Sequence, residues 1–153
     1  MRVKRTNSLD PDFQMLAGEL EADLKVRDGD GHLLFAALNQ LTGTVDAVVA
    51  YDQDKAVGCG AFRKYDEDTA ELKRMFVRPL SRVQGLGSGI LAELEKWAAE
   101  QGYSNWVLET GRNQPEALGF YLKHSFIMIP RFGRYLQSEN SICFHKSFGN
   151  LIQ

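Results

Sequence analysis

The segment Arg82-Val83-Gln84-Gly85-Leu86-Gly87, continued by Ser88 and Gly89, stands between a stretch that reads as a β-strand and one with the apolar spacing of an α-helix. Glycines at positions 85, 87 and 89 leave the first N–H groups of that helix unshielded by side chains, which makes an anion site. Charge agrees, because positions 72 to 92 hold no carboxylate, whereas Lys73, Arg74, Arg78 and Arg82 supply cations beside the loop. Two nucleotide motifs fail here. The Gly-Lys-Ser/Thr of a phosphate loop is absent, and the dinucleotide fingerprint needs a glycine at position 90, where Ile90 stands. By themselves the glycines also fit a plain tight turn between strand and helix.

Working outward, Leu86, Ile90, Leu94, Trp97 and Ala98 give the helix its apolar face, and Glu93, Glu95, Lys96 and Glu100 its solvent face. Gly102 ends it, and residues 105–109 form the next strand. Strand, loop, helix and strand make a parallel crossover. Upstream, residues 46–51, 56–65 and 69–78 are extended and joined by short polar turns, which predicts an antiparallel meander. A strand at 2–5 and an amphipathic helix from Asp10-Pro11 precede it, the helix carrying Phe13, Leu16, Ala17, Leu20 and Leu24 and breaking at Gly29 and Gly31. A second helical stretch is expected at 33–41. Downstream, residues 114–126 read as a helix with Pro115 in its first turn and Asn113 as a cap, followed by extended segments at 127–136 and 142–148. The expected fold is a single α/β domain over residues 1–153, a mixed, mostly antiparallel sheet of about seven strands with about four helices.

Composition narrows the function. A chain of 153 residues with 44% hydrophobic content can bury one complete core, and a net charge of −2 without a basic tract argues against nucleic acid as a partner. No run approaches a membrane span, so a soluble, cytoplasmic protein with no membrane partner is expected. Cys59 and Cys143 lack metal-site spacing and read as buried hydrophobes, and the 28–32 turn lacks the Glu that a calcium loop needs, since Asn39 stands there. No metal is expected.

These residues resemble the GNAT family of N-acetyltransferases, whose Gln/Arg-x-x-Gly-x-Gly/Ala signature is met by Arg82, Gly85 and Gly87. The stretch from Glu71 to Pro79 looks like the family's splayed fourth strand, and that from Ala117 to Phe126 like its Phe-Tyr helix, with Ser125 where glycine is commoner. Agreement in the order of elements runs over residues 46–148. The resemblance implies acetyl-CoA as cosubstrate. Main-chain groups of Met75, Phe76 and Val77 would pair with its pantetheine arm in the manner of strand addition. Val83, Gln84, Gly85, Leu86, Gly87, Ser88 and Gly89 would hold the pyrophosphate, with Arg82 reaching a phosphate and Asn113 either bonding the cosubstrate or capping the helix. Members of the family often pair through late strands, so a homodimer is also implied.

Transfer to an amine needs a base, because an alkylamine with pKa near 10.4 is protonated at neutral pH. Glu71, at a position where the family often carries a catalytic glutamate, and Glu109 on the next strand are the two candidates; each also reads as a plain strand carboxylate, beside Lys73 and Arg112 respectively. Tyr121 matches the family's acid for the departing thiolate, or else is core on an amphipathic helix with Leu118 and Leu122. Arg131, Arg134 and Tyr135 cluster in the final hairpin, where two arginines could recognise a carboxylate-bearing amine or could simply be solvated. The expected acceptor is a small-molecule primary amine; a protein N-terminus or lysine, and a non-catalytic acyl-CoA sensor, are the competing readings. His32, His124 and His145 could each act as a base, but they are scattered and read as surface or core.

Overall fold

A computed structural model describes residues 1–29, 43–82 and 84–149. The expected helix at 33–41, His32 and Val83 lie outside the described residues. Asp10 caps the first helix: its carboxylate accepts the N–H groups of Asp12 at 2.8 Å and Phe13 at 3.1 Å, and Pro11 sets the first turn. In chain order the elements are β1 (Arg2–Asn7), α1 (Pro11–Asp28), β2 (Asp46–Asp52), β3 (Lys55–Lys64), β4 (Thr69–Val77), α2 (Leu86–Glu100), β5 (Asn105–Gly111), α3 (Pro115–Lys123), β6 (Ile127–Ile129) and β7 (Ser141–Ser147). Short 3-10 turns fill Pro79–Ser81 and Gly133–Tyr135.

The strands form one seven-stranded sheet in the order β1-β2-β3-β4-β5-β7-β6, antiparallel except for β4 against β5. This is the mixed sheet expected. On one face Ile90, Leu91, Leu94 and Ala98 of α2 pack with Phe62, Leu72, Trp106 and Phe144; on the other, Phe13 and Leu16 of α1 cover Val49, Cys59, Ala61 and Phe76. Gly60 lets α2 come close, since a Cβ there would lie 2.7 Å from Leu94 Cδ1 and 2.6 Å from Met75 Sδ. Both cysteines are buried and free.

Two features break the sheet's regularity. The parallel β4–β5 pairing lasts for Thr69↔Asn105, Ala70↔Trp106 and Glu71↔Val107 only, after which the strands part and the β4 edge opens. Beside it the β3–β4 register shifts between Cys59 and Ala61, so that Gly60 faces both Arg74 and Met75, and Arg74 takes a left-handed φ of 57°.

The late elements correct two expectations. The segment expected to be extended over 127–136 contributes only β6, because chain from Pro130 onward turns away and coils at Gly133–Tyr135. Three α-helices occur among the described residues, and the fourth expected, at 33–41, lies outside them. Gln114, not Asn113, is the residue before α3, with no side-chain cap, and the exposed Asn113 offers its carbonyl to Arg27 Nη1 at 3.5 Å. Ser125, after α3, has a φ of 72°, a left-handed helix end that glycine adopts without strain.

Candidate functional site

Where β4 and β5 part, a cleft of about 360 Å³ opens. Met75, Phe76 and Val77 supply its β4 wall, Gly85 to Ser88 its head, and Ala117, Phe120, Tyr121 and His124 of α3 its far side. Leu20, Asp23 and Arg27 of α1 also reach it. Gly85 precedes α2 in a left-handed conformation, φ 77°, and offers no side chain to cap it, so the first N–H groups of the helix are left to a ligand. Gly87 keeps the cleft open in a second way: a Cβ there would lie 3.0 Å from Phe120 Cε1.

Of the residues expected to hold a cosubstrate, Met75, Phe76, Val77, Arg82, Gly85, Leu86, Gly87, Ser88 and Tyr121 line this cleft. Gln84, Gly89 and Asn113 do not. Gly89 is turned toward the chain start, where a Cβ would come 2.7 Å from Met1 Cε. Arg82 donates its Nε–H to the Val77 carbonyl at 2.8 Å, which ties the loop back to the end of β4.

Tyr121 is 7% exposed, and among the described residues no hydrogen bond to its hydroxyl is found. Burial, with the Glu109 charge adding, pushes this phenol above its ordinary range and keeps it protonated. It is thus a neutral donor facing the cleft. Its neighbours differ from the amphipathic core that the sequence also allowed: Leu122 is 55% exposed, whereas Ala117, Phe120, Tyr121 and His124 form the inward stripe at helical spacing. The sequence set His124 aside as a surface or core residue, although its place four residues after Phe120 is a readable signal. Its Nε2 lies 2.9 Å from Ser88 Oγ, its ring 4.4 Å from that of Phe120. Burial, then Lys146 and Lys123, hold its pKa below the usual value.

Glu71 and Glu109 do not line the cleft. Glu71 is 3% exposed on the α1 face of β4. Arg63 Nε donates to its Oε1 at 3.0 Å, and Tyr135 donates its hydroxyl to Oε2 at 2.7 Å. Lys73 Nζ in turn donates to the Tyr135 oxygen at 2.9 Å. Burial alone would raise the Glu71 carboxyl, but Lys73, Tyr135 and Arg63 outweigh it and hold it below the carboxylate range. Burial pushes Lys73 down to about 8, opposed by Glu71. Glu109 is half-buried and accepts the Ser141 hydroxyl.

The hairpin residues separate. Tyr135 is 1% exposed within this polar cluster, Arg131 donates to the Ser138 carbonyl at 2.6 Å, and Arg134 is exposed. Nothing in the sequence joined Tyr135 to Glu71, which lies 64 positions away. At the cleft's rim Arg27 of α1 and Glu116 of α3 make a two-pronged ion pair at 2.7 and 2.9 Å, which lowers the Glu116 carboxyl to about 2. Among the described residues no group of acidic, histidine or cysteine side chains could hold a metal, and no helix is long and apolar enough to cross a membrane.

The profile of the acetyltransferase (GNAT) family matches residues 9–126. An uncharacterized N-acetyltransferase of Bacillus subtilis (strain 168), YjcF, is 35% identical over 92 residues, 60% of this chain. The chain covers 63% of that relative's length, just under two thirds. A solved structure from Klebsiella pneumoniae subsp. pneumoniae MGH 78578, assigned as an acyl-CoA N-acyltransferase, superposes with a TM-score of 0.80 at 28% identity, over 96% of this chain and 97% of that one. The PaiA N-acetyltransferase of Thermoplasma acidophilum, solved in complex with coenzyme A, shares the fold with a TM-score of 0.70 at 16% identity, over 97% of this chain and all of its own, 100%.

Proposed function

The chain belongs to the acetyltransferase (GNAT) family, and from that premise we propose that it transfers an acetyl group from acetyl-CoA to the primary amine of a small molecule. The observation that carries this reading is the parting of β4 and β5 after Glu71, which leaves an open strand edge running from Met75 to Val77 into the glycine head of α2. An extended amide chain suits such an edge, and a pyrophosphate suits such a helix start. Acetyl-CoA supplies a thioester: the amine nitrogen bonds to the acetyl carbon, the carbon–sulfur bond breaks, and the thiolate takes up a proton.

The chain's own residues account for the protons. Tyr121, neutral and facing the cleft, donates to the departing sulfur, whose thiol has a pKa near 8.5. The proton lost by the amine passes to the cluster on the α1 face. Tyr135 accepts it there while giving its own hydroxyl proton to Glu71, the two being already hydrogen-bonded at 2.7 Å. Glu71 is therefore the base at one remove. The β-bulge at Gly60 takes one β4 amide out of regular pairing close to the expected thioester carbonyl, as an oxyanion donor requires.

Calorimetric titration with acetyl-CoA and thiol release over a panel of amines and peptides test the reading. Binding with turnover of a small amine supports it. Absence of binding in the micromolar to millimolar range sinks it, and binding without turnover of any acceptor identifies a sensor instead. Tyr121→Phe should lower kcat by roughly 100-fold while leaving acetyl-CoA affinity within about twofold; unchanged turnover removes Tyr121 from its role.

A further inference from the structure

Building on the acetyltransferase reading, we propose that the acceptor is an amine that also carries a carboxylate, and that Arg74 binds this carboxylate on the α1 face of the splayed strands. In an unbroken strand Arg74 would share the face of Leu72, among Ile90 and Leu94 of α2. The bulge opposite Gly60 prevents this, because Gly60 faces both Arg74 and Met75. Met75 keeps the α2 side, packed against that core, and Arg74 joins Lys73 on the α1 side. The side chains that act on the Arg74 charge, those of Glu21, Tyr135, Cys59 and Arg63, agree with that placement.

Two successive cations thus stand at the mouth of the splay, and one of them, Arg74, takes a left-handed φ of 57° at a non-glycine residue. Such strain persists where the surroundings impose it, and it gathers at ligand sites. The carboxylate nearest in the strand cannot serve Arg74. Glu71 is already held by Arg63 at 2.9 Å and by the Tyr135 hydroxyl at 2.7 Å. Glu21, exposed on α1, favours the charged guanidinium from a distance, but among the described residues Arg74 makes no side-chain hydrogen bond or ion pair. Burial, with Arg63 adding, depresses its pKa despite Glu21, so the charged form is only partly compensated in the free protein.

A carboxylate supplies that compensation. The planar guanidinium presents paired N–H donors that match its two oxygens, a fit no neutral group offers. The same ground disfavours a polycation, because Arg63, Lys73 and Arg74 outnumber the one buried carboxylate among them, Glu71. In an amino acid one carbon separates the amine from the carboxylate, and Arg74 immediately precedes the Met75 to Val77 edge where the thioester is expected. Binding there delivers the nitrogen to the reacting end of the cleft.

The test compares wild type with Arg74→Asn, which tolerates the left-handed backbone, and with Arg74→Lys. Thiol release is measured with the common L-amino acids, with their carboxamides, and with polyamines. At least one amino acid should exceed its own amide by about tenfold or more in kcat/KM. Arg74→Asn should raise KM for that acid by a similar factor and leave the calorimetric affinity for acetyl-CoA unchanged, with partial recovery in Arg74→Lys. Amides equal to acids, a preference for polyamines, or an Arg74→Asn loss that is uniform over all amines would overturn the proposal. Where coenzyme A binds and no panel amine turns over, the melting temperature of the coenzyme A-loaded protein decides: mixed L-amino acids must raise it more for wild type than for Arg74→Asn, and equal shifts overturn the Arg74 site while the acetyl-CoA site stands. A protein that binds no coenzyme A fails at the earlier reading, and this one falls with it.

Discussion

The head of α2 and the polar cluster around Glu71 flank the same splayed strand, yet they are made by opposite means. The first is contiguous, Gly85 to Ser88, and works through the side chains that are missing at Gly85 and Gly87. The second gathers Arg63, Glu71, Lys73 and Tyr135 from β3, β4 and the 3-10 turn, and works through buried charges that satisfy one another. A site of main-chain amides can be read from a short string of residues. A site of long-range ion pairs exists only after folding, and it also bears on whether the fold holds.

Removing the centre of the cluster should therefore have the largest effect. Glu71→Ala leaves Arg63 and Lys73 buried without their shared anion, and breaking a buried pair in this way costs about 3–5 kcal/mol. Urea denaturation reads it directly; a loss under about 1 kcal/mol would show that the cluster does not support the fold. Acid supplies the same test without mutation. The Glu71 pKa is lowered on folding, so its contribution is full above the unfolded value of 4.5 and is lost as pH falls through the folded one. Wild type should lose stability across that window more steeply than Glu71→Gln.

The glycine head should break differently, with binding lost and stability kept. In Gly87→Ala the new methyl meets Phe120 Cε1 at 3.0 Å and intrudes at the cleft, while alanine gains up to about 1 kcal/mol of helix propensity. Acetyl-CoA affinity should fall by roughly tenfold, with unfolding free energy within about 1 kcal/mol of wild type. Gly89→Ala is the control: its methyl meets only the flexible end of Met1, away from the cleft, so affinity should be unchanged. Equal losses of affinity in the two variants would mean that the helix start, not the Gly87 approach, sets the site.

The same contrast explains what the sequence disclosed. Meander, crossover and α2 followed from local spacing and turns, and the position of Tyr121 from the motif around it. Glu71 was legible as a residue but not as a buried one, because its partners Arg63 and Tyr135 approach through strand pairing and a late 3-10 turn that no spacing announces. The bulge at Gly60 was equally hidden, since an extra residue in a strand leaves the apolar alternation readable on either side. Asn113 misled for a simpler reason. Its type suits a cap, but the chain reaches α3 one residue later, at Gln114.

His124 joins the two kinds of site, a side chain from α3 held against the glycine head, and it offers the finest test. In the free protein its pKa is lowered by burial, then by Lys146 on β7 and Lys123 on α3, with Glu95 of α2 opposing, so the ring is neutral at pH 7. Neutral Nε2 can accept the Ser88 hydroxyl at 2.9 Å, which points the hydroxyl proton away from the cleft. Protonated, it must donate to Ser88 Oγ, which frees that hydroxyl proton for a phosphate and adds a positive charge beside it. A bound pyrophosphate should raise the His124 pKa relative to the free protein, and by linkage acetyl-CoA should bind more tightly as pH falls from 8 to 6. The expected gain is about two- to fivefold, the scale of a partly screened charge pair. His124→Gln should flatten this dependence in calorimetric titrations while Tyr121→Phe retains it; a slope that survives in His124→Gln would assign the proton to another group at the cleft.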